Sequence, residues 1–187
     1  MDITDWDRRY REDLYGEISQ PNALLEKFWH VMPPGRVLDV AMGNGRNTIF
    51  LAERGYNAWG IDQSPEALRR ARQRASIRGT HASLVLGDVS NLPFKSGSMT
   101  GVMVFYFLLR DKIDEMAALL TRGGILMYET LLKRQNIIDR HRNPDYLLDD
   151  GELISYFGDF DLLFYEETIS EVTGKKRATA QYVGRKK

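Results

Sequence analysis

The stretch that decides the fold is Val37-Leu38-Asp39-Val40-Ala41-Met42-Gly43-Asn44-Gly45-Arg46-Asn47. Its apolar start predicts a buried strand, its two glycines predict a tight turn, and Asn47 begins a predicted helix. A second apolar segment, Trp59-Gly60-Ile61, ends at Asp62, seventeen residues after Gly45. This order of elements is typical of a nucleoside-binding half-fold: a strand, a glycine turn, a helix, and a second strand that ends in an acid.

The composition indicates a globular protein and excludes several classes of function. A length of 187 residues predicts a single domain over residues 1–187. Lys plus Arg and Asp plus Glu balance at 26 each, so the net charge gives no support for a nucleic-acid or membrane-surface partner. Cysteine is absent, which excludes disulfides and thiolate metal sites. The chain shows neither a signal peptide nor a long apolar run, so we expect a cytoplasmic location.

The pattern outside the glycine turn predicts alternating strands and helices followed by a hairpin. Helices are predicted over residues 21–32, 47–54, 64–78, 111–120 and 149–157, and strands over residues 36–40, 57–61, 83–86, 100–107 and 125–128. Two further strands, about Phe160–Glu166 and Arg177–Gly184, are joined by a short glycine link and predict an antiparallel hairpin. The prediction is an α/β fold, a doubly wound, seven-stranded, mostly parallel sheet with a C-terminal antiparallel hairpin.

The residues around the glycine turn favour a sulfonium cofactor over a dinucleotide. In Gly43-Asn44-Gly45-Arg46-Asn47-Thr48, a threonine replaces the third glycine that packs beside a bound pyrophosphate. Asp39 stands four residues before Gly43, where its charge would repel a phosphate and attract a cation. The turn therefore predicts S-adenosylmethionine, with S-adenosylhomocysteine as the product, rather than NAD.

Acids follow each of the first three predicted strands. Asp62 suits a ribose diol, because a carboxylate accepts hydrogen bonds from both hydroxyls. Asp88, after the third strand, suits the exocyclic amine of adenine. Any one of these acids alone could be a helix cap or a solvated loop charge. Acids after three successive strands favour a nucleoside site.

These motifs resemble those of class I S-adenosylmethionine-dependent methyltransferases, which share a Rossmann-like fold. Gly43-Asn44-Gly45-Arg46-Asn47, Gly151-Glu152-Leu153 and the ending Gly184-Arg185-Lys186-Lys187 resemble the small bacterial tellurite-resistance methyltransferases. The chain departs from the superfamily's usual Gly-Cys-Gly at Ala41-Met42-Gly43. The resemblance implies an N-terminal helical cap (1–34), a cofactor-binding core (35–130), and an acceptor-side segment with the hairpin (131–187).

The resemblance also implies positions for the cofactor-binding residues. Those expected to line the methionyl part are Asp39, Ala41, Gly43 and Gly45, with Asn44, Arg46 and Asn47 completing the turn and the helix start. Those expected around the nucleoside and the sulfonium are Asp62 and Gln63 for ribose, Asp88 and Val89 for adenine, and Phe105 and Tyr106 beside the sulfur. Trp6 and Tyr10 resemble a Trp-x-x-x-Tyr segment that covers the cofactor, and simple helix packing is their alternative.

Methyl transfer is an in-line displacement on an already activated carbon, so few catalytic residues are needed. The candidates are Tyr106, at the carboxyl edge of the sheet, and His141, in the segment after the fifth strand. The alternative for Tyr106 is a structural role, lining the pocket or packing in the core. The alternative for His141 is a position exposed to solvent. The charged run Lys175-Lys176-Arg177 is interpreted as solubilising charge.

The sequence predicts an enzyme that transfers a methyl group to a small-molecule acceptor, with no metal, no nucleic acid and no membrane partner. We expect a monomer or a homodimer. Aromatic and arginine residues in segments 1–20 and 129–149 favour a small acidic or soft anionic acceptor. A non-catalytic S-adenosylmethionine-binding sensor or partner protein is the alternative.

Overall fold

Seven strands form a single sheet in the computed structural model, which describes residues 3–12, 20–139, 142–172 and 174–187. The strands are β1 (Arg36–Val40), β2 (Asn57–Asp62), β3 (Ser83–Leu86), β4 (Met99–Phe105), β5 (Leu120–Leu131), β6 (Phe160–Val172) and β7 (Lys175–Lys186). Their order is β3-β2-β1-β4-β5-β7-β6. Strands β1 to β5 are parallel, and β7 runs antiparallel to both β5 and β6. The predicted fold class is confirmed.

Seven α-helices lie in the described ranges, and several are short. They are α1 (Ile3–Arg11), α2 (Ala23–Phe28), α3 (Arg46–Ala52), α4 (Pro65–Ile77), α5 (Ile113–Ala118), α6 (Gln135–Ile138) and α7 (Glu152–Ser155). Helix α4 begins as its sequence predicts, with Pro65 in the first turn and the Ser64 hydroxyl accepting a hydrogen bond from the Ala67 backbone N–H. Within these ranges, no helix has the length and apolarity needed to cross a membrane.

Several predicted boundaries shift for local reasons. The helix expected over 21–32 divides into α2, which Asn22 caps, and a 3-10 turn over Trp29–Val31, which ends because Met32 is extended before Pro33. The helix expected over 111–120 is the shorter α5, preceded by a 3-10 turn over Arg110–Lys112. The helix expected over 149–157 is the single turn of α7.

The strands also differ in length from the prediction. Strand β4 ends at Phe105 because Tyr106 has a φ of 57°, which leaves the extended conformation. Strands β6 and β7 are longer than expected because their antiparallel pairing continues into charged residues that carry no apolar signal. Strand β5 is longer because Leu120 pairs parallel with Met99 of β4 and Glu129–Leu131 pair antiparallel with β7. The alternation with helices also fails once: residues 87–98, all of them described, contain a 3-10 turn (Val89–Asn91) and no α-helix.

The sheet is buried on both faces. Leu38, Val40 and Val102 pack into one apolar cluster, and their neighbours Val37 and Met103 pack into a second. Alternate residues of a strand point to opposite faces, so both sides of the parallel strands contribute to the core. Burial of both faces explains why these segments are continuous apolar runs in the sequence.

The strand order reverses at β1, which pairs with β2 on one side and β4 on the other. Val40 lies opposite Ile61 of β2 and Val104 of β4, so the three strands end at the same edge. In open α/β sheets, ligands bind outside the carboxyl ends of strands at such a point of reversal. The residues that follow these strands therefore form the candidate site.

Candidate functional site

Asp39 lies at the end of β1 directly below the glycine turn. Its side chain is 1% exposed, and the Thr48 hydroxyl donates a hydrogen bond to Asp39 Oδ2 over 2.7 Å. Burial raises the pKa of Asp39 to about 7, although the Thr48 hydrogen bond favours the ionised form. Thr48, which replaces the third glycine of a dinucleotide motif, thus holds a buried carboxyl where a pyrophosphate would need positive surroundings.

Asp62 connects the end of β2 to the glycine turn. Its Oδ2 accepts a hydrogen bond from the Gly43 backbone N–H at 2.8 Å, and its Oδ1 accepts one from the Ser64 N–H at 2.9 Å. Burial raises the pKa of Asp62. The carboxylate therefore shapes the turn, and each oxygen keeps a second lone pair for a ligand hydroxyl.

The two glycines of the turn are required by both conformation and space. Gly43 and Gly45 have φ values of 58° and 74°, in the left-handed region that favours glycine. A Cβ at Gly45 would lie 2.8 Å from the Ala71 Cβ, and a Cβ at Gly43 would collide with the Tyr10 hydroxyl. The turn therefore packs directly against α4 on one side and α1 on the other.

Ala41 and Met42 stand where the superfamily usually has Gly and Cys. Ala41 is half-buried and has a φ of 54°, so an alanine occupies a left-handed position. The Met42 side chain is buried with Leu68 and Ala71 and fills the space above Gly60. Met42 is therefore part of the packing under the turn.

Helix α1 places an aromatic side chain over the glycine turn. Asp7 anchors the helix, because its Oδ1 accepts hydrogen bonds from the Ser64 hydroxyl at 2.8 Å and the Glu66 N–H at 2.9 Å. The Tyr10 hydroxyl lies against Gly43, and Trp6, one turn earlier on α1, is half-buried. Sequence reasoning did not identify Asp7, whose spacing from Trp6 and Tyr10 carries no signal.

Tyr106 and Phe105 follow different paths at the end of β4. Phe105 is buried in the apolar cluster that contains Met103. Tyr106 is half-buried, and its hydroxyl donates a hydrogen bond to Glu129 Oε1 over 3.1 Å. Burial, followed by the Glu129 charge, raises the pKa of Tyr106, so the phenol keeps its proton near neutral pH.

Glu129 is a site residue that the sequence reasoning missed. It lies on β5 opposite Phe105, is 3% exposed, and accepts a second hydrogen bond from Asn22 Nδ2 at 2.9 Å. The Asn22 backbone N–H donates in turn to Asn47 Oδ1 over 2.8 Å. Glu129 directly follows the apolar run Ile125–Tyr128. An acid after an apolar run is the same signal that predicts the three aspartates, so the sequence does contain a signal for Glu129.

Two arginines lie near Tyr106. The Arg177 guanidinium carbon lies 5.3 Å from the centre of the Tyr106 ring, in a cation–π arrangement. Arg46 donates to the Gln20 carbonyl over 3.2 Å, and both arginines oppose the rise in the Tyr106 pKa. Arg177 is half-buried, unlike Lys175 and Lys176, so the interpretation of the whole run as solubilising charge was wrong for this residue.

The residues predicted for the nucleoside lie along the edge beyond β2 and β3. Asp88 is exposed, and its Oδ1 accepts from the Ser90 N–H at 2.9 Å, so it caps the 3-10 turn over Val89–Asn91. Val89 is buried in the core, and both Gln63 and Asn44 are half-buried. Their contacts with a nucleoside stay predictions.

The residues predicted to lie on the acceptor side do not gather at the edge of the sheet with Tyr106. His141 lies outside the described residues, and its catalytic role stays a prediction. Arg134 pairs with Glu167 at 3.3 Å, and Arg142 pairs with Asp139 at 3.5 Å. Arg142 pairs within its own segment and Arg134 links that segment to β6, whereas Arg46 and Arg177 lie near Tyr106.

The chain is similar to methyltransferases in sequence and in fold. Residues 37–124 match the family profile of a methyltransferase domain. The chain is 31% identical over 124 residues to an uncharacterised methyltransferase of Synechocystis sp., covering 63% of this chain and 52% of that protein. It is 27% identical over 170 residues to hemagglutinin 1 of Eikenella corrodens, and the match covers 86% of this chain and 55% of that protein. The chain thus spans about half the length of these relatives.

Among solved structures, TehB from Haemophilus influenzae superposes with a TM-score of 0.75 at 18% identity, covering 97% of this chain and 67% of that chain. Together with the domain match, this similarity defines the class: the chain has the fold of class I methyltransferases. The predicted resemblance to class I S-adenosylmethionine-dependent methyltransferases is confirmed, with TehB among the similar proteins.

Proposed function

We propose that this chain is an S-adenosylmethionine-dependent methyltransferase that acts on a small-molecule acceptor. The observation that carries the proposal is the convergence of Asp39, the Gly43–Gly45 turn and Tyr106 at one edge of the sheet, where the strand order reverses. A buried carboxyl below a left-handed glycine turn fits a cationic amino-acid moiety and opposes a pyrophosphate.

The donor set matches the chemistry of S-adenosylmethionine along its length. Asp39 and the glycine turn would hold the methionyl part, Asp62 and Gln63 the ribose, and Asp88 and Val89 the adenine. Trp6 and Tyr10 on α1 would cover the cofactor, because Tyr10 already lies against Gly43. When bound, the cofactor supplies an electrophilic methyl group on a positively charged sulfur.

The protein contributes alignment and the exclusion of water. Tyr106 would stand beside the sulfonium as a protonated phenol that Glu129 holds in place, so it takes up a proton only by passing its own to Glu129. Helix α1 covers the turn, because the Tyr10 hydroxyl lies against Gly43. These features favour a small-molecule acceptor.

Calorimetry with S-adenosylhomocysteine, followed by transfer of a radiolabelled methyl group across a panel of small acceptors, tests the proposal. We expect S-adenosylhomocysteine to raise the thermal midpoint, NAD to leave it unchanged, and at least one acceptor to be labelled. Asp88→Asn should weaken cofactor binding, whereas Asp161→Asn, on the exposed outer strand β6, should not.

The possible results separate the competing functions. Tight binding of S-adenosylhomocysteine without turnover on any acceptor would favour a sensor or partner protein. A thermal shift with NAD alone would favour an oxidoreductase and contradict the proposal.

A further inference from the structure

The hydrogen bonds around Glu129 all point toward its carboxylate. Tyr106 Oη donates to Oε1 at 3.1 Å, and Asn22 Nδ2 donates to Oε2 at 2.9 Å. The orientation of the Asn22 amide is fixed, because its Oδ1 accepts from the Leu24 backbone N–H at 2.8 Å. Since a phenol has a single proton and a carboxylate has none, Tyr106 has only lone pairs left to offer a ligand.

The Glu129 carboxylate is buried, and its two side-chain hydrogen-bond donors are neutral groups. The carboxylate is 3% exposed, and no lysine, arginine or histidine among the described residues forms an ion pair with it. The Arg177 guanidinium lies over the face of the Tyr106 ring, and the Tyr106 hydroxyl is directed to Glu129.

We propose, on the basis of the function proposed above, that the acceptor carries a hydrogen on the atom that is methylated, and that Tyr106 relays this proton to Glu129. The acceptor class is then a neutral hydroxyl, thiol or amine, in place of the acidic or soft anionic acceptor that the sequence favours. Tyr106 is the residue that contacts the acceptor, and Glu129 is a positioning residue that acts through Tyr106.

The step is balanced in atoms and charge. The acceptor's lone pair forms a bond to the methyl carbon while the bond between that carbon and the sulfonium sulfur breaks. The acceptor's proton passes to Tyr106 Oη, and the Tyr106 proton passes to Glu129 Oε1. One positive and one negative charge disappear together, leaving a neutral thioether, a carboxylic acid and a methylated acceptor.

Glu129→Gln reverses the direction of the hydrogen bond between residue 129 and the Tyr106 hydroxyl. The nitrogen of the new amide cannot face Asn22 Nδ2, because both groups only donate, so its oxygen turns to Asn22 and its nitrogen turns to Tyr106. Tyr106 would then accept from the amide and direct its own proton into the site. In the wild type, the Tyr106 hydroxyl therefore prefers ligands that donate a hydrogen bond. In Glu129→Gln it should prefer ligands that accept one, with little change in the shape of the site.

The test measures binding rather than turnover. Calorimetry on the S-adenosylhomocysteine complex compares phenol with anisole. We expect the wild type to favour phenol by about tenfold, the value of one well-placed hydrogen bond. In Glu129→Gln the ratio should fall to about one or invert, and in Tyr106→Phe it should approach one without inversion.

A matched control lies on β6, where the Tyr165 hydroxyl donates to Glu167 Oε1 at 2.5 Å. Glu167→Gln changes a tyrosine–glutamate hydrogen bond outside the site, at a glutamate that also pairs with Arg134, and should leave the binding ratio unchanged. Glu129→Gln itself should keep the thermal midpoint and the S-adenosylhomocysteine affinity of the wild type. Equal binding of phenol and anisole by the wild type, no binding of either, or an unchanged ratio in Glu129→Gln would overturn the inference. Failure of S-adenosylhomocysteine itself to bind would instead overturn the proposed function, and this inference with it.

Discussion

At the residue scale, the site concentrates backbone strain at two strand ends. Ala41 after β1 and Tyr106 after β4 are the non-glycine residues with positive φ among the described part of the chain. Such conformations cost on the order of 1 to 3 kcal/mol each and persist where the surrounding structure fixes them. Both residues lie where the polypeptide leaves the sheet, so the strain directs Tyr106 toward Glu129 and brings the turn after Ala41 over Asp39.

Ala41→Gly measures this strain directly. Glycine relieves the left-handed conformation but makes the unfolded chain more flexible, so we expect the free energy of unfolding to stay constant or to rise by up to about 1 kcal/mol. Ala75→Gly, within α4, is the matched control and should lose about 1 kcal/mol. Chemical denaturation of both variants gives the comparison, and equal losses would show that Ala41 is unstrained.

At the scale of the elements, α1 depends on one carboxylate for its place over the turn. The hydrogen bond from the Glu66 backbone N–H lowers the pKa of Asp7, so the anchor is ionised at neutral pH. The same group caps the N-terminus of α4 and thereby links α1 to the turn that Tyr10 covers.

Asp7→Asn should therefore weaken cofactor binding more than it weakens the fold. We expect the affinity for S-adenosylhomocysteine to fall by roughly five- to tenfold, equivalent to about 1 kcal/mol, while the thermal midpoint moves little. Glu12→Gln, just after α1 and exposed, is the control and should change neither quantity. If the thermal midpoint fell while the affinity held, α1 would be a packing element only.

At the scale of the whole molecule, the predictable features were those encoded within one strand or one turn. Asp39 and Asp62 follow apolar runs, and parallel strands bring such ends to one edge, so local patterns locate both carboxylates. The contact between Asn22 and Glu129 joins residues 107 positions apart, and Arg177 reaches Tyr106 only after the hairpin pairs with β5. Contacts of this kind depend on tertiary packing and leave no periodic signal.

The raised pKa of Asp39 makes the stability of the whole molecule depend on pH in a specific window. Between the unfolded value near 4 and the folded value of about 7, the native state binds more protons than the unfolded state, so stability falls as the pH rises. Each pH unit of the shift corresponds to about 1.4 kcal/mol. Burial of Asp62 acts in the same direction, whereas the pKa values of Glu66 and Glu152 are lowered to about 2 and affect stability only at lower pH.

Asp39→Asn isolates this effect, because an amide oxygen still accepts the Thr48 hydrogen bond but does not titrate. We expect the variant to gain stability relative to the wild type as the pH rises from 4 to 7, with a constant difference above that range. Urea denaturation at several pH values gives the two profiles, and parallel profiles would mean that Asp39 titrates normally. A bound sulfonium favours the ionised carboxylate, so cofactor binding by the wild type at pH 6 should release protons, and Asp39→Asn should release fewer.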